Sequence, residues 1–139
     1  MIVKEIMTKN VITIDKDESV LTACNIYKDR KIGCLIVTDE GACIGIVTER
    51  DLIERTICAK KDPNITKIKD IMSSEIKTIH ALDSLEKALK IMKENNIKKL
   101  PVIVEDEIVG ILTVTDISKA RPDLSKRFME SWVKTSWKD

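Results

Sequence analysis

The chain has 139 residues, with 24 Lys plus Arg against 23 Asp plus Glu, and is 43% hydrophobic but only 3% aromatic. A formal charge of +1 leaves no cation excess to neutralise a phosphate backbone, which argues against general DNA binding. The length suits one compact module with a continuous core.

Charges at Lys4 and Glu5 and the absence of an apolar run after them do not fit a signal peptide, and no uncharged stretch approaches a membrane span. The expectation is a cytoplasmic protein. Lys4-Glu5-Ile6-Met7-Thr8 leads into Val11-Ile12-Thr13-Ile14, a β-branched run that predicts a short strand. Asp17, Glu18 and Ser19 then supply a polar cap before Val20, Ala23, Ile26 and Tyr27, which recur at helical spacing. Cys34–Val37 and Ala42–Val47 flank Asp39-Glu40-Gly41 and predict a hairpin. Thr48-Glu49-Arg50-Asp51 follows that hairpin directly and precedes an apolar helical segment, which marks a helix N-terminus. Residues 60–66, with Pro63, read as a linker.

The same order then returns. Lys69-Asp70-Ile71-Met72-Ser73 repeats the leading segment at an offset of 65, and without any gap 17 of the 50 paired positions from Lys4 to Ile53 are identical. The second copy predicts a strand over 76–79, a helix capped by Asp83 and Ser84, and a hairpin of Leu100–Val104 and Ile108–Leu112 around Glu105-Asp106-Glu107. It closes on Thr113-Val114-Thr115-Asp116. The fold class expected is α+β, with small sheets: two β-α-β-β-α repeats, 1–59 and 67–121, packed about a pseudo-twofold axis. A tail over 122–139 remains. There, Leu124, Phe128 and Trp132 recur every four residues, as do Met129, Val133 and Trp137, so the tail predicts an amphipathic aromatic helix. It either packs on its own domain or docks on a second subunit, with Phe128, Trp132 and Trp137 at the interface.

Catalysis and metal binding find little support. No nucleophile–base set, Walker loop or dinucleotide G-x-G-x-x-G occurs, so no enzyme is expected. Cys24, Cys34, Cys43 and Cys58 form no C-x-x-C pair and His80 is alone, so no metal site is expected and the thiols read as reduced and packed. Gln is absent while Lys, Glu and Ile are abundant, which fits heat adaptation or a genome's base composition equally.

The duplicated leading segment, the Leu100-Pro101-Val102 strand entry and the paired segments Gly45-Ile46-Val47-Thr48-Glu49-Arg50-Asp51 and Gly110-Ile111-Leu112-Thr113-Val114-Thr115-Asp116 resemble a tandem cystathionine-β-synthase (CBS) domain pair. The resemblance covers residues 1 to about 120. It implies a stand-alone regulatory module that binds AMP, ADP, ATP or S-adenosylmethionine as a regulatory ligand in clefts between the repeats. It also implies no required cofactor, a homodimer, and a separate target protein addressed in trans. In the family arrangement the aspartate receives both ribose hydroxyls, which a cis-diol can donate to one carboxylate. The threonine lies where a helix N-terminus favours phosphate.

Carried over residue by residue, one pocket takes Lys98, Lys99, Ile111, Thr113 and Asp116, with adenine against Asn10, Val11 and Ile12. Its counterpart takes Ile46, Thr48, Asp51, Ile76 and Lys77. Lys98-Lys99 aligns with Gly33-Cys34, leaving Arg50 as the substitute cation of the first pocket, and Glu75 stands where the second pocket has Asn10. The second pocket is therefore expected to be the better nucleotide site. Bland readings stand beside these. Thr-x-x-Asp is also an ordinary helix cap, Lys98-Lys99 also suits a solvated turn, and Pro101 shapes a strand entry. Gly45 and Gly110 allow close approach of a ligand or of a helix, and His80 reads as a surface residue. The alternative function is a structural or protein-interaction dimer with vestigial pockets.

Overall fold

The computed structural model of the protein describes residues 1–124, 126, 127 and 130, so the aromatic stripe of Phe128, Trp132 and Trp137 lies outside the described residues. The chain divides into two compact units. One is Val11–Ile76, and the other joins Met1–Asn10 to the chain from Lys77 onward.

In the first of these, β1 (Thr13–Asp15) leads to α2 (Val20–Arg30), and β2 (Leu35–Asp39) and β3 (Ala42–Val47) form a hairpin, with α1 (Val3–Ile6) belonging to the other unit. β1 pairs parallel with β2, and β2 antiparallel with β3. A four-residue helix α3 (Glu49–Leu52) then passes into a π-helical turn, Ile53–Ile57. The other unit repeats the plan with β4 (Ile79–His80), α4 (Leu85–Asn95), β5 (Lys99–Val104), β6 (Glu107–Thr113) and α5 (Val114–Ala120). Here β4 runs parallel to β5, and β5 antiparallel to β6.

Local chemistry explains these elements. Ser19 Oγ accepts from the Thr22 N–H at 3.2 Å and Ser84 Oγ from the Lys87 N–H at 3.1 Å, so both long helices open on the predicted serine caps. Both hairpin loops hold two residues at positive φ, Glu40 (49°) with Gly41 (87°) and Glu105 (51°) with Asp106 (67°). That is the turn whose twist matches the flanking strands. Glu107, expected in the second turn, instead starts β6 opposite Val104. The opening strands are shorter and later than predicted. Val11 and Ile12 precede β1, and residues 76–78 precede β4, because the parallel partner strands offer register only from Thr13 and Ile79 onward.

Each core is closed by a segment from the other sequence repeat. Ile14, Val20, Ala23, Leu35, Val37, Val47 and Leu52 form one core together with Ile68 and Ile71, which follow the linker. Val3, from the start of the chain, is buried in the other with Ile79, Leu85, Ala88, Met92, Leu100, Val102, Leu112 and Ile117. Backbone bonds fix the exchange. Ile68 N–H donates to Glu18 O at 2.9 Å and Lys69 N–H to Lys16 O at 3.0 Å, while Val3 N–H donates to Asp83 O at 2.9 Å and Lys4 N–H to Ala81 O at 2.8 Å. The repeats were expected to begin at residues 1 and 67, whereas the compact units change over after Asn10 and after Ile76.

Candidate functional site

The two glycine-led motifs are built by the same device. After Met7, the Thr8 N–H donates to Ile111 O and the Ile111 N–H to Thr8 O, both at 2.9 Å. After Met72, the Ser73 N–H and Ile46 N–H exchange equivalent bonds at 3.0 Å. The glycine beside each pair leaves room for that crossing. A Cβ on Gly110 would stand 2.6 Å from Met7 Sδ and 2.9 Å from Thr8 O, and one on Gly45 would stand 2.7 Å from Met72 Sδ and 2.9 Å from Ser73 O. The close approach foreseen for these glycines is therefore to the leading segments. The recurrence of Ile-Met-Thr/Ser at the 65-residue offset carried that signal.

Each strand then ends in a capping box. Thr48 Oγ1 accepts from the Asp51 N–H at 3.3 Å, and Asp51 Oδ2 accepts from the Thr48 N–H at 2.9 Å and from Thr48 Oγ1 at 3.2 Å. Thr113 Oγ1 accepts from the Asp116 N–H at 3.1 Å, and Asp116 Oδ2 accepts from the Thr113 N–H at 3.0 Å. The capping role of both motifs is thus realised.

Beyond the caps the two carboxylates differ. Thr8 Oγ1 donates across both oxygens of Asp116, at 3.0 Å to Oδ1 and 3.3 Å to Oδ2, and Asp116 is half-buried. Asp51 is only 8% exposed, and its Oδ1 faces the Arg55 guanidinium at 3.7 Å. Arg55 also donates through Nη1 to Ile71 O at 3.2 Å and Met72 O at 3.1 Å. Arg50, expected to serve this site, is exposed and its Nε donates instead to Glu54 at 2.9 Å. The carboxylate raises the already high guanidinium pKa of Arg50 through that bond. The i,i+4 spacing of Asp51 and Arg55 was the available sequence signal for the true neighbour.

Of the residues carried to the second pocket, Asn10, Lys98, Lys99, Ile111, Thr113 and Asp116 lie in one unit, and Val11 and Ile12 in the other. Lys99 pairs with Thr113 in the β5–β6 register, which sets its cation one strand from the motif, and Lys98 is exposed. Of the first pocket, Ile46, Thr48, Arg50, Asp51 and Ile76 share a unit that does not contain Lys77.

A depression of about 550 Å³ borders the first motif, lined by Cys24, Tyr27, Lys28, Lys31, Ile32 and Glu49. Tyr27 donates its hydroxyl to Val47 O at 2.6 Å, anchoring the strand end immediately before Thr48. Burial pushes the Tyr27 phenol well up, reinforced by Cys34, Glu49 and Asp51, so it remains a donor. Burial likewise raises the Cys24 and Cys43 thiols, whereas Cys58 is exposed rather than packed. His80 is exposed and its Nδ1 accepts from the Leu82 N–H at 3.1 Å. Among the described residues, no group of three or more His, Cys, Asp or Glu side chains could hold a metal ion, and no helix is long and apolar enough to cross a membrane.

Residues 3–57 and 68–123 each match the family described as CBS domain. The CBS domain-containing protein YhcV of Bacillus subtilis is 30% identical over 74 residues, which make up 53% of this chain and 52% of that protein. The chain spans 14% of another relative, the uncharacterized protein MJ1404 of Methanocaldococcus jannaschii, at 43% identity over 60 residues covering 42% of this chain. Among solved structures, Hypoxic Response Protein I, with two coordinated zinc ions, superposes with a TM-score of 0.79 at 27% identity, covering 86% of this chain and 98% of that one. The CBS domain pair of protein MJ0100, in complex with 5′-methylthioadenosine and S-adenosyl-L-methionine, gives 0.75 at 30% identity, covering 86% and 94%.

Proposed function

The chain belongs to the CBS-domain family, and on that premise we propose that it is a regulatory module that binds an adenosyl ligand at its Thr-x-x-Asp motifs and passes occupancy to a partner protein. One observation carries the reading. The two oxygens of Asp116 are spanned by a single hydroxyl from Thr8, at 3.0 and 3.3 Å, and a vicinal diol could take over the same acceptors. A ligand with two hydroxyls offers one donor to each oxygen, where Thr8 shares one donor between them. The complex of the MJ0100 pair with methylthioadenosine and S-adenosylmethionine supports this ligand class, and AMP, ADP and ATP share the same ribose edge.

The second motif is the preferred site in this reading, with Lys98 and Lys99 for an anionic tail and Asn10 on the adenine side. The first, with Ile46, Thr48, Arg50, Asp51 and Ile76, is the weaker one. The module works in the cytoplasm without catalysis, as a homodimer with the tail residues Phe128, Trp132 and Trp137 at its interface, and its target is a separate protein. A second reading, an interaction dimer with vestigial pockets, is favoured by the capping boxes, which give both carboxylates a structural role without any ligand.

Thermal shift separates the two. Methylthioadenosine, AMP, ATP or S-adenosylmethionine near its dissociation constant raises the melting temperature of a sensor, whereas no shift with any of them at millimolar concentration leaves the interaction dimer. Within the sensor reading, calorimetry of Asp116→Asn shows the larger loss of affinity and Asp51→Asn the smaller. Equal losses would refute the ranking of the two motifs.

A further inference from the structure

The duplication provides its own control, because each motif residue has a counterpart 65 positions away on the same scaffold. Asp51 and Asp116 are counterparts, yet Asp51 is 8% exposed while Asp116 is half-buried. The leading segments that cross beside them correspond as well, Thr8 with Ser73. Thr8 donates to Asp116, but no hydrogen bond joins Ser73 to Asp51 among the described residues. The counterpart of Arg55 is Ala120, so only the first motif has a guanidinium at the position that faces its carboxylate.

Arg55 does more than pair with Asp51. Its Nε lies 3.7 Å from Asp51 Oδ1 while its Nη1 reaches the carbonyls of both Ile71 and Met72, so one planar group links the carboxylate to the backbone that crosses Gly45. Asp51 Oδ2 is already occupied by two donors from Thr48. A diol approaching Asp51 therefore has Oδ1 as its remaining acceptor, and that oxygen faces the arginine. At Asp116 the Thr113 N–H likewise holds Oδ2, but Oδ1 faces only the Thr8 hydroxyl, which can rotate away where a guanidinium tied to two carbonyls cannot.

We infer that Arg55 is a specificity-determining residue that closes the first Thr-x-x-Asp motif to a vicinal diol, leaving Asp116 as the carboxylate open to one. The inference rests on the reading of these carboxylates as ribose acceptors. It assigns the unequal sites to one side chain outside both motifs, which acts through Asp51 without touching the ligand.

Two measurements on the full chain test it, one without ligand. Carbodiimide coupling of glycinamide, localised by tandem mass spectrometry, reads the accessibility of each carboxylate. Asp116 labels faster than Asp51 in the unaltered protein. In Arg55→Met, which keeps the apolar stem, Asp51 labelling rises about fivefold or more, the scale of a partly buried ion pair removed. Arg55→Gln, which can still donate to the carbonyls, is the second variant if the first fails to fold. Unchanged Asp51 labelling in a folded variant overturns the inference. Calorimetry with 5′-methylthioadenosine, which is uncharged and carries the diol, supplies the second readout. On an Asp116→Asn background, Arg55→Met strengthens binding by about fivefold to tenfold, and an equal or weaker affinity overturns the inference. If the unaltered protein binds no adenosyl ligand while Asp51 still becomes labelled on removal of Arg55, the shielding stands and the sensor reading fails.

Discussion

Gly110 shows how little freedom the motif has at the scale of a single residue. An added methyl would meet Thr8 O at 2.9 Å, and that oxygen cannot move without breaking the Thr8–Ile111 backbone pair. Met7 Sδ, at 2.6 Å, is the end of a flexible side chain and can yield. Gly110→Ala is therefore expected to cost roughly 1–3 kcal/mol in urea unfolding, as overpacking does, and Met7→Ala should recover only part of it. Full recovery would place the clash at sulfur alone. Asp17 offers a pH test. Hydrogen bonds from Lys16 and Lys69, with smaller charge effects of the same two, hold its carboxyl below the usual range, so folding favours its ionised form. The stabilisation is complete above the unfolded value of about 3.9 and disappears as pH falls through the lower folded value. Asp17→Asn should thus weaken the protein at pH 7 and match it near pH 2; a stability gap that persists in acid would contradict the assignment.

The segment after Asp51 makes the clearest case at the scale of elements. Its first turn is α-helical, its second is a π turn, and Ile53 and Ile57 on that turn are 53% and 69% exposed. Ile71, in the leading segment that closes the same core, is fully buried. Ile57→Ala should change unfolding free energy by less than about 0.5 kcal/mol, while Ile71→Ala should cost about 2–5 kcal/mol. Denaturant midpoints for the two variants check this, and comparable losses would mean that Ile57 is covered in solution. Much of the fold at this scale was legible from Ser19 and Ser84 as caps, from Asp39-Glu40-Gly41 as a turn, and from the alternation of β-branched runs with helical spacing. The sites were legible in part. Thr-x-x-Asp marked both carboxylates, but their neighbours Thr8 and Arg55 come from a distant segment and from one helical turn onward. The exchange of leading segments came only through the family resemblance, which set Asn10 beside the Asp116 motif and Ile76 beside Asp51, and not from the residues themselves. Met7-Thr8 and Met72-Ser73 are near-equivalent, so residue types alone do not say which glycine each one meets.

For the whole molecule, that exchange makes truncation act at a distance. Residues 1–10 contribute Val3 to the core of Ile79, Leu85, Met92 and Leu112 and pair with Ile111. Deleting them should strip amide-exchange protection from 79–117 and leave 13–57 comparatively protected. Protection lost first from 13–57 would show that the N-terminal segment serves its own repeat after all. Removing 122–139 bears instead on the proposed dimer, and light scattering that finds the mass per particle halved would assign the interface to the tail.

The pairing of Thr8 with Ile111 also sets an order in time. On a ribosome, Val11–Ile76 has all of its core residues once the chain has emerged a little past Met72. The other unit waits until Ile117 of α5 is made, holding the apolar Val3 without its full pocket through about a hundred further residues. Closing so long a loop costs only slowly growing entropy, but the contact itself is strongly non-local, which delays folding. Val3, made before the rest of its core, is thus among the last residues of that unit to find its place.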